Sequence, residues 1–245
     1  MSTDLTTETV VPAPARLYYP DSDGEPMADS DDQYEAMTDA KFALVNFFRD
    51  DPQVYVAANL LIYYQKGDPK KRVAPDVFVV RGAPKRRRRS YQLWREKQRP
   101  AIVIEIASPG TWEKDMTNQA LYASLQIPEY VMFDWSGGDY FGDVLLGYRY
   151  VEGAYQPIPT LPSENDDVGF LSEQLGLEVW ARRETADDFY FLLRFRNPQT
   201  GEWLLSQAES EAARRVEAAA RAEAEARLAA VQAELDRLRA GRSDA

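Results

Sequence analysis

The chain has 245 residues, of which 44% are apolar and 12% aromatic, so it can bury one sizeable core and still carry appendages. Cysteine and histidine are both absent, which excludes disulfides, thiolate or imidazole catalysis, and metal sites built on those ligands. No stretch approaches ~20 uncharged apolar residues, and the start Met1–Asp4 lacks the pattern of a secretory signal, so we expect a soluble cytoplasmic protein without a membrane span.

The net charge of −11 is distributed unevenly. Residues 1–40 hold ten acids and one base, whereas residues 66–99 hold thirteen bases and three acids. The first segment therefore carries −9 and the second +10. Because a local basic patch binds polyphosphates whatever the charge of the whole chain, the acidic balance does not exclude a nucleic-acid partner.

The predicted elements begin after an acidic segment. Residues 1–33 are rich in Thr, Pro, Asp and Ser, so we expect a mostly disordered tail. Apolar residues after this tail predict a helix over 34–48, which ends before Asp50-Asp51-Pro52. Their β-branched and aromatic content predicts strands over 54–65 and 73–80.

The middle of the chain alternates strands with one helix. A strand is predicted over 101–107, and a helix over 112–125 with Thr111 as its N-cap. Further predicted strands cover 129–135, 145–151, 155–157, 175–180 and 189–195. This order of elements predicts an α/β fold in which helices flank a mixed β-sheet.

From about residue 206 to 239 the sequence consists mainly of Ala, Glu and Arg and contains no Pro or Gly, which predicts a long C-terminal helix. Its apolar residues alternate spacings of four and three, as in a short coiled-coil seam: Ala224, Leu228, Val231, Leu235 and Leu238. Two interpretations stay open, a solvated helix with a weak apolar stripe and a helix through which the chain forms a homo-oligomer. The predicted divisions are a tail (1–33), a main domain (34–185), a short β extension (186–204) and the alanine-rich helix (205–241).

Two acidic residues interrupt runs that otherwise read as buried strands: Asp76 in VAPDVFVV and Glu105 in AIVIEIAS. Burial penalises a carboxylate that has no partner. Two carboxylates from adjacent strands suit a divalent cation such as magnesium. The alternatives are a turn role for Asp76 and an ion pair of Glu105 with Arg72 or Arg81.

These strings carry a resemblance to a known family. VAPDVFVVRG and IPEYVMFDW, with Glu105 placed 29 positions after Asp76, resemble the Uma-two family of restriction endonucleases in the PD-(D/E)xK superfamily. The similarity covers about residues 34–180. It implies a restriction-endonuclease-like fold, a divalent cation (Mg²⁺ or Mn²⁺) held by Asp76 and Glu105, and hydrolysis of DNA phosphodiester bonds. Physical chemistry agrees, because a cation held by two carboxylates can activate water and neutralise charge in that reaction.

The chain departs from the family pattern at the catalytic lysine. In the superfamily this lysine follows the second acid by two positions, where this chain has Ala107. In the Uma-two group it lies on the next helix, where this chain has Asn118. Lys114 is the lysine on that predicted helix and is the remaining candidate for the catalytic role, with a surface position as the alternative. The departure keeps a second function open, a nuclease fold that no longer cuts and serves as a binding or assembly module.

A basic run follows the first of the two acidic strands and is the candidate for nucleic-acid contact, with Tyr91 and Trp94 as stacking groups. Its members are Lys85, Arg86, Arg87, Arg88 and Arg89. The alternatives are a solvated loop and aromatics that belong to the core. A third interpretation is that the acidic residues 1–33 cover the basic run and inhibit the protein.

Overall fold

A computed structural model describes residues 17–22, 24, 28–163, 166–183 and 190–243, without the side chains of residues 236 and 238–243. The helices are α1 (Asp31–Phe47), α2 (Leu93–Glu96), α3 (Trp112–Ser124) and α4 (Gln207–Ser243). The strands are β1 (Val54–Ala58), β2 (Ile62–Tyr63), β3 (Arg72–Val73), β4 (Val77–Arg81), β5 (Tyr91–Gln92), β6 (Ile102–Ile106), β7 (Glu129–Phe133), β8 (Leu145–Val151), β9 (Ala154–Pro157), β10 (Val168–Ser172), β11 (Leu177–Arg183) and β12 (Phe191–Arg196).

A six-stranded mixed sheet forms the centre of the fold, in the order β1-β4-β6-β7-β8-β9. β6 and β7 are parallel and are connected through α3, whereas the other neighbouring strands are antiparallel. Two smaller sheets accompany it, β10-β11-β12 and β3-β2-β5. The fold is therefore α/β and restriction-endonuclease-like, as expected, with a long helix at its C-terminal end.

The central sheet is buried on both faces. Successive side chains of its middle strands point to opposite faces, and nearly all of them are apolar. On one face Ile102 and Ile104 pack with Leu44 of α1 and with the sheet β10-β11-β12. On the other face Val103 packs with Tyr122 of α3 and with residues of the sheet β3-β2-β5. The strand periodicity places Glu105 on the α3 face, the same face as Val103.

The single strand predicted over 54–65 is wrong. The structure has two strands in different sheets, β1 and β2, separated by Asn59 with φ of 44°. Asn tolerates this left-handed conformation better than most residues, so the chain can turn there and leave the central sheet. The β propensity of the run is continuous across Asn59, which is why the sequence pattern did not show the break.

The N-terminal end of α1 is fixed by local hydrogen bonds. Ser30 is its N-cap, with its Oγ accepting a hydrogen bond from the Gln33 amide at 3.2 Å. The tail predicted over 1–33 lies mainly outside the described residues. Of the part that is described, Tyr19 packs edge-on against Tyr63, and Asp21 forms an ion pair with Arg89 at 2.6 Å.

The C-terminal helix leaves the body of the protein after a well-defined start. Ser206 and Glu209 form a capping box, in which each side chain accepts a hydrogen bond from the other's backbone amide. Arg194 of β12 pairs with Glu209 at 2.8 Å. From residue 211 to 235 every side chain is exposed, and Leu238 of the predicted seam lies outside the described side chains. Among the described helices none is long and apolar enough to cross a membrane.

Candidate active site

Asp76 and Glu105 face each other across two strands of the central sheet. β4 and β6 are antiparallel with Val77 opposite Ile104, so the residue before β4 lies opposite Glu105. The Asp76 amide donates a hydrogen bond to Oε2 of Glu105 at 3.1 Å. The Ile106 amide donates to Oδ2 of Asp76 at 2.7 Å. The predicted pairing of these two acids is therefore present in the geometry of the strands.

Each acid is also held by a side chain from a helix. Nε2 of Gln33 in α1 donates to Oδ1 of Asp76 at 3.1 Å. The hydroxyl of Tyr122 in α3 donates to Oε1 of Glu105 at 2.5 Å. Tyr122 and Glu105 are both buried, with 1% and 2% of their surface exposed. The two helices thus fix the carboxylates from opposite sides of the sheet.

A third acid, Asp115 of α3, lies at the end of a chain of hydroxyls. Oγ1 of Thr111 donates to Asp115 at 3.0 Å and lies 2.7 Å from Oγ of Ser108, which donates to Asp29 at 2.9 Å. The two hydroxyls therefore link Asp29 to Asp115. Thr111 is the N-cap residue of α3, as predicted, but its side chain engages Asp115 and not a backbone amide of the helix.

The site is strongly acidic in its electrostatics. Burial raises the pKa of Asp76 to about 7, and the negative charges of Asp115 and Asp29 add to this effect. Burial and the neighbouring Asp115 and Asp76 raise the pKa of Glu105 well above its ordinary value. Burial also raises the pKa of Asp115 to about 6. Lys114 acts against that last shift, by lowering the pKa of Asp115.

No ion pair neutralises these acids within the described part of the chain. The two arginines considered as partners of Glu105 are engaged elsewhere. Arg81 donates to the backbone carbonyls of Gln174 and Leu175, and Arg72 donates to that of Pro69. A cluster of buried carboxylates without a cation is the environment in which a bound metal ion stabilises the folded state most.

The residues at this site fit a magnesium-type cation. Asp76 and Glu105 supply hard oxygen ligands, and Mg²⁺ is usually held by one or two carboxylates together with water and substrate phosphate. Among the described residues no group of three or more acidic, histidine or cysteine side chains is close enough to hold a metal ion. Asp76 and Glu105 are the two carboxylates that would act as the protein ligands.

The two positions at which the family has its lysine hold Ala107 and Asn118, and both residues are buried. Ala107 is buried, and its carbonyl accepts a hydrogen bond from Nε1 of Trp135 at 2.8 Å. Asn118 is buried beside Asp115, with Nδ2 3.5 Å from Oδ1. Lys114 is exposed on the first turn of α3. Its charge lowers the pKa of Asp115, the next residue along the helix.

The basic run is less uniformly exposed than its sequence indicated. Nζ of Lys85 donates to the carbonyls of Phe48 and Arg49, at 2.5 and 2.8 Å, and so closes the C-terminal end of α1. Arg88 has 2% of its side chain exposed, pairs with Glu96 at 2.9 Å and stacks on the Tyr55 ring at 4.1 Å. Arg86 shares Glu96 at 2.8 Å. Arg87 is exposed, as is Arg89 of the pair with Asp21.

Tyr91 and Trp94, near the basic run, were expected either to stack on nucleic acid or to belong to the core, and they differ in this respect. Tyr91 is fully buried, and its hydroxyl donates to the carbonyl of Gln98 at 2.9 Å. It is therefore a core residue and does not present a stacking face to solvent. Trp94 is partly exposed and packs against Tyr19 at 5.2 Å between ring centroids.

Sequence reasoning did not identify Gln33, Asp29 or Asp115 as part of the site. Gln33 lies 43 positions before Asp76 in a helix, and a glutamine in a helix gives no sign of a distant partner. Asp29 approaches Gly110 closely: a Cβ at residue 110 would lie 2.4 Å from Oδ2 of Asp29. The Pro109-Gly110 pair indicates that the chain turns after β6, but it does not indicate which side chain lies beside Gly110.

The fold and the paired acids define a restriction-endonuclease-like protein. The family model Uma2, described as "Putative restriction endonuclease", matches residues 12–184, and the chain belongs to this family. A solved structure, "a putative nuclease belonging to DUF820" from Anabaena variabilis ATCC 29413, is similar at 13% identity and a TM-score of 0.41, over 55% of this chain and 73% of that one. No match was found among curated proteins.

Proposed function

We propose that this protein is a metal-dependent endonuclease that hydrolyses DNA phosphodiester bonds. The observation that carries the proposal is the facing pair Asp76 and Glu105, held by reciprocal backbone hydrogen bonds and without an ion-pair partner among the described residues. Membership of the Uma2 family supports the nuclease class. Two such carboxylates, poised to bind Mg²⁺ or Mn²⁺, match the ligand chemistry that phosphodiester hydrolysis requires.

Each residue of the site has a role in this proposal. Asp76 and Glu105 hold the divalent cation, which when bound supplies charge neutralisation and a more acidic water. Gln33 and Tyr122 fix the orientation of the two carboxylates. We assign to Lys114, the lysine of α3, the role of neutralising the negative charge that develops on the phosphate. The exposed members of Lys85–Arg89 contact DNA phosphates.

The proposal is tested by nicking of supercoiled plasmid in Mg²⁺, in Mn²⁺ and in EDTA. Glu105→Gln and Asp76→Asn keep the shape of each side chain and remove its charge, so we expect nicking to fall by at least ~100-fold. Glu152→Gln removes an exposed acid on the turn between β8 and β9 and should nick at the wild-type rate. Metal-dependent nicking that persists unchanged in Glu105→Gln would contradict the proposal.

A second function is favoured by one specific observation, the occupation of both family lysine positions by Ala107 and Asn118. Under this alternative the protein keeps the nuclease fold and serves as a binding or assembly module. Calorimetry distinguishes the two functions: saturable Mg²⁺ binding accompanied by turnover rules out the module, whereas Mg²⁺ binding without turnover on any DNA substrate rules out the nuclease.

Self-association through α4 and a cytoplasmic location belong to the same proposal. The helix carries an apolar stripe with no partner among the described residues, with Leu228 and Val231 66% and 58% exposed. A second copy of the chain is the partner that we propose for this stripe.

A further inference from the structure

A groove of about 760 Å³ follows the edge of the central sheet. Its floor is β1, the edge strand, whose backbone pairs with β4 on one side. The C-terminal half of α1 and the basic run form its walls. The residues that line it are Lys41, Val45, Phe48, Arg49, Val54, Tyr55, Val56, Ala57, Ala58, Leu60, Lys85, Arg86, Arg87 and Arg88.

The groove is positively charged although the whole chain carries −11. Six of its fourteen lining residues are basic, and none of these described residues is acidic. Glu96 neutralises part of the charge, because it pairs with Arg86 and Arg88. Lys41 and Arg87 are exposed on opposite walls, so they are placed to contact a ligand that lies between them.

One end of the groove lies beside the start of the strand that follows Asp76. The Asn59 amide, immediately after β1, donates to the carbonyl of Asp76 at 3.0 Å. At the other end Val54 pairs with Arg81, which leads into the basic run. Five residues of strand span about 16 Å, since each residue advances ~3.3 Å. The groove therefore runs from the basic run towards the backbone of Asp76.

We propose that this groove binds a single strand of DNA and directs it towards Asp76 and Glu105, an inference that rests on the proposed function. Its volume is that of a site for a small molecule, so it accommodates a few nucleotides of one strand and not a double helix. A cationic groove with an apolar floor is the usual way to bind single strands without sequence preference. One edge of β1 pairs with no other strand in the part of the chain that the structure describes, so it can add backbone N–H donors to phosphate oxygens.

An acidic extended peptide is the competing occupant, since peptides also add to the edges of sheets. The paired acids beyond this end of the groove favour DNA. A peptide would gain nothing from a metal site there, whereas a phosphodiester chain would be delivered to it.

The test is the binding of a fluorescent 12-nucleotide single strand to the full chain in EDTA, where cleavage cannot occur. Lys41→Glu with Arg87→Glu reverses one charge on each wall. We expect at least tenfold weaker binding at low salt, and a salt slope reduced by about 1.4 because each phosphate contact contributes ~0.7. Lys66→Glu with Lys70→Glu makes the same charge change on a surface turn outside the groove and should have little effect.

The inference is overturned if the two double variants lose the same amount of affinity for the single strand. It is also overturned if a DNA duplex binds as tightly as the single strand and loses as much affinity in the groove variant. Tighter binding of polyglutamate than of the oligonucleotide overturns it in favour of a peptide. Because the chain has no cysteine, Lys41→Cys allows disulfide cross-linking of a thiol-bearing strand at this one position, with Lys66→Cys as control. If Glu105→Gln abolishes nicking while the groove variants bind and nick normally, only the groove inference fails. If nicking persists in Glu105→Gln, the proposed function fails.

Discussion

The Tyr122 hydroxyl donates a hydrogen bond of 2.5 Å to Oε1 of Glu105, and both residues are buried. The contact joins α3 to β6 across the sheet face that holds the acids. It supplies a donor to a carboxylate that has no cationic partner among the described residues. The same contact and the burial of the ring raise the pKa of Tyr122, so the phenol remains a donor at physiological pH.

Tyr122→Phe should weaken Mg²⁺ binding by about 10- to 100-fold, because the residues that orient ligating carboxylates usually contribute this much. The ring is retained, so the packing against Tyr130 at 5.1 Å should survive and the fold should remain intact. Tyr130→Phe is the matched control, since its hydroxyl donates to the backbone carbonyl of Asp115 and not to a site carboxylate. Calorimetric titration with Mg²⁺ checks the prediction, and equal effects of the two variants would contradict it.

The acids should make the metal-free protein less stable as pH rises. The folded-state pKa values, about 7 for Asp76 and about 6 for Asp115, lie above the ordinary value of 3.8, so the folded state binds more protons than the unfolded state between them. The stabilisation is fully present below pH ~4 and is lost as pH rises through ~6 and ~7. No histidine titrates in this window, because the chain has none.

Urea unfolding in EDTA at pH 5, 6, 7 and 8 measures this loss. Mg²⁺ at pH 8 should restore stability, by about 2.7 kcal/mol at a concentration 100 times its dissociation constant. The double variant Asp76→Asn/Glu105→Gln should show a flatter pH profile and no response to Mg²⁺. A stability that rises from pH 5 to 8 without metal would show that the acids are not destabilised by burial.

The paired acids could be predicted because a carboxylate inside an apolar run conflicts with the free energy of burial, and such a conflict is visible in the sequence. The register of β4 and β6 then brings Asp76 opposite Glu105. Gln33 could not be found in this way, because its role depends on where α1 begins relative to β4. Nor could composition show that Lys85 closes the end of α1 or that Arg88 is buried against Glu96. Those roles come from tertiary contacts and not from the charge of the run.

The proposed catalytic role of Lys114 can be tested together with Asn118, which stands where the family has its lysine. Lys114→Met should lower the nicking rate by about 100-fold if its charge stabilises the phosphate, and it should leave Mg²⁺ binding unchanged. Asn118→Lys places a lysine beside Asp115 at the position used by the family, and we expect it to raise the rate in the Lys114→Met background. Single-turnover nicking assays measure both effects. Wild-type rates in Lys114→Met would assign the role to another group.

The apolar stripe of α4 predicts self-association. Leu228, Val231 and Leu235 are 66%, 58% and 46% exposed, although a coiled-coil seam would bury them. Ion pairs such as Arg227–Glu223 at 2.6 Å support the helix by itself but do not cover the stripe. We therefore expect sedimentation equilibrium to show an oligomer for the full chain and a monomer for Leu228→Glu/Leu235→Glu.

The matched control for this last prediction is Ala226→Glu/Ala233→Glu, which adds the same two charges at positions that the seam spacing places away from a partner helix. It should remain oligomeric. Both double variants should keep the thermal stability of the body of the protein, because every side chain from 211 to 235 is exposed and none packs on the sheets. A monomeric wild-type chain at tens of micromolar would show that the stripe is a solvated face. Equal dissociation of both variants would show that net charge, and not the seam, controls the association.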